Sequence, residues 1–199
     1  MTIASWRAAG LTGTLLALAA GATQAAGADE PSRPQTEEAR QAAGELLSQI
    51  RGELVRALES SGPLRAIVVC KYSAPEISST ISRKYGARVT RVSLQPRNPA
   101  LGWADAWEQE VLQGFERRAA RGEKVEGMEQ AAVVSEPAGR FLRYMRALPL
   151  APVCSHCHGS AEQISDAVRA ALATEYPHDR AVGTAVGQVR GAVTFKKPL

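Results

Sequence analysis

An α+β domain built on an antiparallel sheet is what this 199-residue chain predicts, from three observations. Between Glu37 and Leu58, apolar residues recur at the i, i+3, i+4, i+7 spacing of one helix face: Ala43, Leu46, Leu47, Ile50, Leu54 and Leu58. Residues 139–148 and 186–195 instead alternate with the period of a strand. The elements also follow one another as helices, strand, helix, hairpin, helix and strand, an order that suits helices packed on an antiparallel sheet.

Residues 29–36, DEPSRPQT, are polar and Pro-bearing and are expected to be a flexible lead-in. The helix that begins at Glu37 should stop at Ser60-Ser61-Gly62-Pro63. The next stretch, LRAIVVCKY, is short and apolar; periodicity leaves it open between a buried strand and a turn or two of helix. Ser73 and Glu76 form a candidate capping box for the following helix, with Gly86 as its stop. Residues 87–95 mix β-branched and polar residues without a helical face and read as extended. PRNPALG is a loop. Residues 103–120 read as a helix, with Trp103, Trp107, Val111 and Phe115 four apart on a face expected to enter the core. Two strands follow around a turn at Pro137-Ala138-Gly139, the second alternating Phe141, Arg143 and Met145 with Leu142, Tyr144 and Arg146. Ser160 and Gln163 suggest another capped helix, burying Ile164, Val168, Ala171 and Leu172 and broken at Tyr176-Pro177.

Composition narrows the function classes. The chain is 45% hydrophobic and 22% charged, a globular balance, with a formal net charge of +4. Its charges are interspersed and form no dense basic stripe, so no nucleic-acid partner is expected. Before Asp29 the one charged residue is Arg7, followed by an apolar stretch and the small-residue sequence Ala26-Gly27-Ala28. This is the pattern of a signal peptide over residues 1–28, cleaved before Asp29. Its strongly apolar part, residues 11–20, is too short to span a bilayer comfortably. The expectation is an exported, periplasmic protein with no stable membrane span after cleavage, and one domain over residues 37–199.

The chemistry concentrates in VCSHCHG, residues 153–159. Cys154, Cys157 and His158 fit C-x-x-C-H, the attachment signature of c-type haem. Two thiols at this spacing reach the two vinyl groups on one porphyrin edge and form thioethers, and the next histidine is held under the iron. One covalent haem c is therefore the expected cofactor. A Cys154–Cys157 disulfide of a redox motif and a zinc site using His156 or His158 are the alternatives; the first lacks a thioredoxin-like βαβ unit and the second lacks another C-x-x-C. His156 is expected to be a bystander. The third cysteine, Cys70, is an odd thiol in an oxidising compartment. It is either a small buried hydrophobe or the second axial iron ligand, with Met128, Met145, His178 or an empty position as rivals.

With these residues in place, the chain resembles a family of exported c-type haem proteins built on a PAS-like fold and long known as a domain of unknown function, typified by a cyanobacterial cytochrome c with Cys/His ligation. AIVVCKYSAPEIS, VSLQPRNP, WEQEVLQGFE, RFLRYMRALPLAPVCSHCHG and YPHDRAVGTAVGQVRGAV carry the resemblance, in order, across residues 37–195. It implies a PAS-like antiparallel sheet flanked by helices, thioethers at Cys154 and Cys157, and iron ligation by His158 and Cys70. The family's C-terminal G-D-x-R-G-A has Gln188 here in place of the acid.

Thiolate ligation stabilises ferric iron, so the resemblance favours a redox- or gas-responsive protein whose Cys70 binds or leaves the metal, with a diatomic gas as a possible ligand and a separate redox or signalling protein as partner. A soluble electron-transfer cytochrome c is the alternative. A peroxidase-like enzyme would need a distal acid or base, and the sequence offers only His178 on a loop, so no catalytic residue is assigned. Haem propionates need cationic or hydrogen-bonding neighbours, for which Arg97, Arg143, Tyr144 and Arg146 are candidates. The strand-like stretches argue against a four-helix c-type cytochrome.

Overall fold

Ser32 opens the first helix. Its hydroxyl accepts from the Gln35 backbone N–H while the Gln35 side chain accepts from the Ser32 N–H, a capping box that starts α1 (Arg33–Val68). The computed structural model describes residues 30–199; the leader expected over 1–28 lies outside them. The second half of the expected lead-in is thus helical, with Pro34 in the first turn, where its missing N–H leaves no bond unmade.

Gly62-Pro63 interrupts α1 as expected, with Gly62 at φ 72°, but helix resumes at once. LRAIVVCKY is therefore helical, not extended. It runs into a π turn, Val69–Ser73, and then α2 (Ala74–Tyr85). Pro75 explains the wide turn: it has no N–H, and its ring would collide with the carbonyl four residues back, at Lys71. The capping box expected at Ser73 and Glu76 does not form, because Ser73 is itself helical (φ −67°, ψ −41°). Gly86 ends α2 in the left-handed conformation at φ 59°.

Strand β1 (Arg88–Val92) precedes a short turn of helix, α3 (Pro99–Gly102), and then α4 (Ala106–Ala120). Asp105 and Glu108 build the capping box of α4, so this helix begins three residues after Trp103. Trp103 consequently stands outside the helix, half exposed, rather than in the core. The hairpin forms as expected: β2 (Glu129–Glu136) and β3 (Gly139–Pro149) pair through a two-residue loop, Glu136 opposite Gly139. A single turn, α5 (Ser155–His158), carries the cysteine motif. Helix α6 (Asp166–Glu175) starts later than expected, because Ser165 and not Ser160 caps it. Strand β4 (Val189–Pro198) completes the chain. The architecture is α+β: a four-stranded antiparallel sheet, order β1-β4-β3-β2, with helices against it.

Both faces of the sheet are covered, which explains why β3 buries Leu142, Arg143, Tyr144 and Met145 in succession. On one face α1 lays Ala39, Ala42, Ala43, Leu46 and Ile50 on Val89, Leu142, Tyr144, Val193 and Phe195. The three alanines let the helix approach the strands closely. On the other face Leu112 and Phe115 of α4 meet Met128, Met145, Ala147 and Ala192. Each fully buried large side chain contributes about 1.5–3 kcal/mol of transfer free energy. A smaller cluster joins Ile67 at the end of α1 to Ile164, Val168, Leu172 and Tyr176, with Cys157 packed against it. Among the described residues no helix is long and apolar enough to cross a membrane.

An ion pair ties α1 to the sheet. Arg40 donates to both oxygens of Glu129 (Nε 3.1 Å, Nη2 2.5 Å), and the Tyr144 hydroxyl donates to the same carboxylate at 2.7 Å. Arg40 holds the Glu129 carboxyl below the usual range against the pull of burial, with Tyr144 helping. A carboxylate whose folded pKa is depressed adds stability that is present above its unfolded value, about 4.3, and is lost as pH falls through the folded one. The stability gap between wild type and Glu129→Gln, measured by urea unfolding, should therefore narrow from about pH 6 to about pH 3. A gap constant across that range would refute the contribution.

Candidate functional site

Along the open edge of β1, between α2 and the 96–102 segment, lies a cavity of about 440 Å³. Cys70 and His158 both line it. Cys70 arrives on the π turn and His158 at the end of α5, so the cavity brings together the lone thiol and the histidine of the C-x-x-C-H motif. Cys157 lies on the same turn as His158 and Cys154 just before it, though neither lines the cavity itself; burial pushes both thiols up, with Cys70 close enough to add to the effect in each. A redox C-x-x-C works through a lowered thiol pKa, so this environment speaks against that alternative. Among the described residues no three His, Cys, Asp or Glu side chains converge as a closed zinc site requires.

His158 is oriented by the backbone. Its Nδ1 lies 2.8 Å from the Ala181 carbonyl. Arg190 Nε lies 3.1 Å from the same nitrogen; a carbonyl only accepts and a guanidinium only donates, so each contact suits one tautomer, and the shorter one is to the carbonyl. Arg190 directs its other bonds to Ser93 Oγ (2.8 Å) and the Gln95 carbonyl (3.1 Å). Burial, then Arg190 and Arg97, push His158 well below the usual imidazole range and keep it neutral. A neutral ring that donates from Nδ1 has its Nε2 lone pair available to a metal. The donor set therefore fits an iron porphyrin: two thiols of a C-x-x-C-H motif, one oriented imidazole and one further sulfur on the cavity wall.

The segment after α6 clamps this turn. Gly183 N–H donates to the Gly159 carbonyl (2.8 Å) and Thr184 N–H to that of His158 (3.0 Å). Arg97 donates to the carbonyls of Cys157 and Ala181 and pairs with Asp179 (Nε to Oδ2, 3.1 Å); Asp179 in turn accepts from Ala181 N–H at 2.8 Å. Gly159 has no room for a side chain, since a Cβ would sit 2.6 Å from the Ser155 carbonyl. Gly191 is as crowded: a Cβ there would lie 2.4 Å from the Val92 carbonyl on β1. Gly191→Ala should therefore push β1 from β4 beside the cavity and cost about 1–3 kcal/mol in thermal unfolding; an unchanged melting temperature would contradict this.

Of the rivals to Cys70, Met128 and Met145 are buried in the core on the α4 face, and His178 is exposed and outside the cavity lining. His156 is exposed too. Of the four expected propionate neighbours, Arg97 lines the cavity and three do not. Tyr144 and Arg146 lie on the α1 side of β3, Tyr144 bound to Glu129. Arg143 is engaged on the α4 face by Asp105 (2.7 Å), Glu136 (2.5 Å) and Glu108 (3.4 Å), with its guanidinium 4.7 Å from the Trp107 ring centre. Alternation along β3 placed these residues on opposite faces correctly, but which face meets the cavity depends on the helices above it. Sequence reasoning missed Arg91 and Arg190, which do line it. Burial, then Arg97 and Arg91, push the Arg190 guanidinium down to about 10. Their one local signal is a charged residue within each strand-like stretch.

Comparisons with known proteins bear on the same region. No curated protein matches the chain. Among solved structures, the crystal structure of the cyanobacterial heme-protein Tll0287 superposes with a TM-score of 0.62 at 23% identity, over 84% of this chain and 97% of that one, which shows a shared fold. The family model described as Tll0287-like matches residues 26–198, and the chain belongs to that family.

Proposed function

We propose that this chain is an exported, periplasmic haem c protein of PAS-like fold that responds to redox state or to a diatomic gas. Cys154 and Cys157 hold the macrocycle by thioethers, and His158 and Cys70 ligate its iron. The observation that carries this reading is the shared cavity of Cys70 and His158, with His158 Nδ1 bound to the Ala181 carbonyl. The similarity to a heme-protein supports it. Haem c, when bound, would supply a one-electron iron centre. This chain's residues do the rest. The Ala181 carbonyl orients the histidine from behind, Arg97 holds the Ala181 and Cys157 carbonyls in place, and Cys70, on the cavity wall, would be the sulfur ligand whose binding or release answers the state of the iron.

Electron transfer to a docked redox protein is the second reading. Leu101, on the cavity lining, and Trp103 beside it are half exposed, an apolar rim suited to a partner. A redox titration followed by absorption, on protein matured in a host competent for cytochrome c assembly, separates the two. Ligand exchange between oxidation states supports the sensor. A high midpoint with unchanged ligands supports the carrier. A mass equal to the bare polypeptide would refute both.

A further inference from the structure

Four arginines line the cavity, Arg88, Arg91, Arg97 and Arg190, and no acidic residue does. Two of them are matched: Arg88 donates to Glu108 at 2.8 Å and Arg97 pairs with Asp179. Arg91 and Arg190 form no ion pair among the described residues. Arg190 reaches neutral oxygens of Ser93 and Gln95, and the acid closest in effect, Asp179, is already engaged by Arg97. The two arginines stand on adjacent strands, Arg91 on β1 opposite Val193 and Arg190 on β4. Hydroxyls of Ser78, Ser79, Ser82 and Ser93 lie on the same lining. Enclosing cations without counter-charge is costly, and guanidinium groups suit carboxylates through paired N–H donors. This wall therefore carries two positive charges that ask for two anionic groups.

We infer that Arg91 and Arg190 form a carboxylate-binding pair that receives the two propionates of the haem proposed above, so that the carboxylate edge of the ligand meets the β1–β4 side of the cavity. The inference rests on that haem reading. It corrects the expectation that Arg143, Tyr144 and Arg146 serve this role, since none of the three reaches the cavity.

The test uses holoprotein and compares wild type with Arg91→Gln, Arg190→Gln and the double variant. Resonance Raman spectroscopy reads the propionate-bending band, and a redox titration reads the midpoint. Each single variant should lower the band frequency and make the midpoint more negative, the double variant more so, with the haem mass retained. Unchanged band and midpoint in a double variant that retains its haem mass overturn this inference and leave the haem reading standing. Wild type that emerges at the bare polypeptide mass overturns both. A saturable shift on adding phosphate to wild type, absent from the double variant, also overturns it, because the pair then takes a free anion. Should the glutamine variants fail to fold, Arg91→Lys and Arg190→Lys keep the charge and lose the fork; smaller shifts of the same sign support the pair, and none in either refutes it.

Discussion

Cys70→Ala should convert the holoprotein from a low-spin to a high-spin ferric spectrum and move its midpoint upward. A thiolate is an anionic donor that stabilises ferric over ferrous iron, so its loss favours reduction. Among the described residues none of the rival ligands is placed to replace it. Met128 and Met145 are buried on the α4 face of the sheet, and His178 is exposed away from the cavity. The vacated position would fall to water or an added gas. Absorption and electron spin resonance of the two purified proteins check this, together with a redox titration. An unchanged low-spin spectrum in the variant would remove Cys70 from the proposed ligand set without bearing on the proposed thioethers at Cys154 and Cys157.

The second large effect concerns stability. Arg143 is 1% exposed, and its guanidinium meets Asp105, Glu136 and the fully buried Glu108. Arg143→Ala leaves the Glu108 carboxylate in the core with Arg88 as its one remaining cationic partner, beside the Thr194 hydroxyl and the Asp105 N–H (both 2.8 Å). Breaking one side of a buried ion pair costs about 3–5 kcal/mol, which for a domain of this size lowers the melting temperature by roughly 10 °C. Replacing Arg143 and Glu108 together with apolar residues of similar volume should cost less, since no buried charge is then left unpaired. Calorimetry of the single and double variants decides it. Equal losses in both would mean that packing, and not charge, dominates here.

Much of the fold was legible along the chain. The α1 face, the β2–β3 hairpin, the Gly86 stop and the strand at β4 are local patterns, and each appears as expected. Helix starts were less legible. Ser73 and Ser160 have the right neighbours for caps, yet Ser73 continues a helix through a π turn, and Ser160 N–H binds Gln163 ahead of a helix that Ser165 opens. A cap motif states which hydrogen bonds are available; the chain on either side decides which are used. Trp103 was misplaced for a similar reason, because its spacing matched a face of a helix that Asp105 starts later. Arg143 shows the same limit within a strand. Its position in the alternation was right, but a period of two cannot say which face is lined by α4.

Local spacing alone determined the C-x-x-C-H motif, the Gly86 stop and the two periodicities, because the atoms concerned lie within a few residues of one another. Tertiary structure decided everything that depends on distant segments meeting: Cys70 and His158 on one cavity, the Ala181 carbonyl behind the imidazole, and the arginine Arg190 beside Ser93, 97 positions away. Side-chain chemistry is written residue by residue, but charge balance and access to a ligand belong to a volume of space, and only folding encloses that volume.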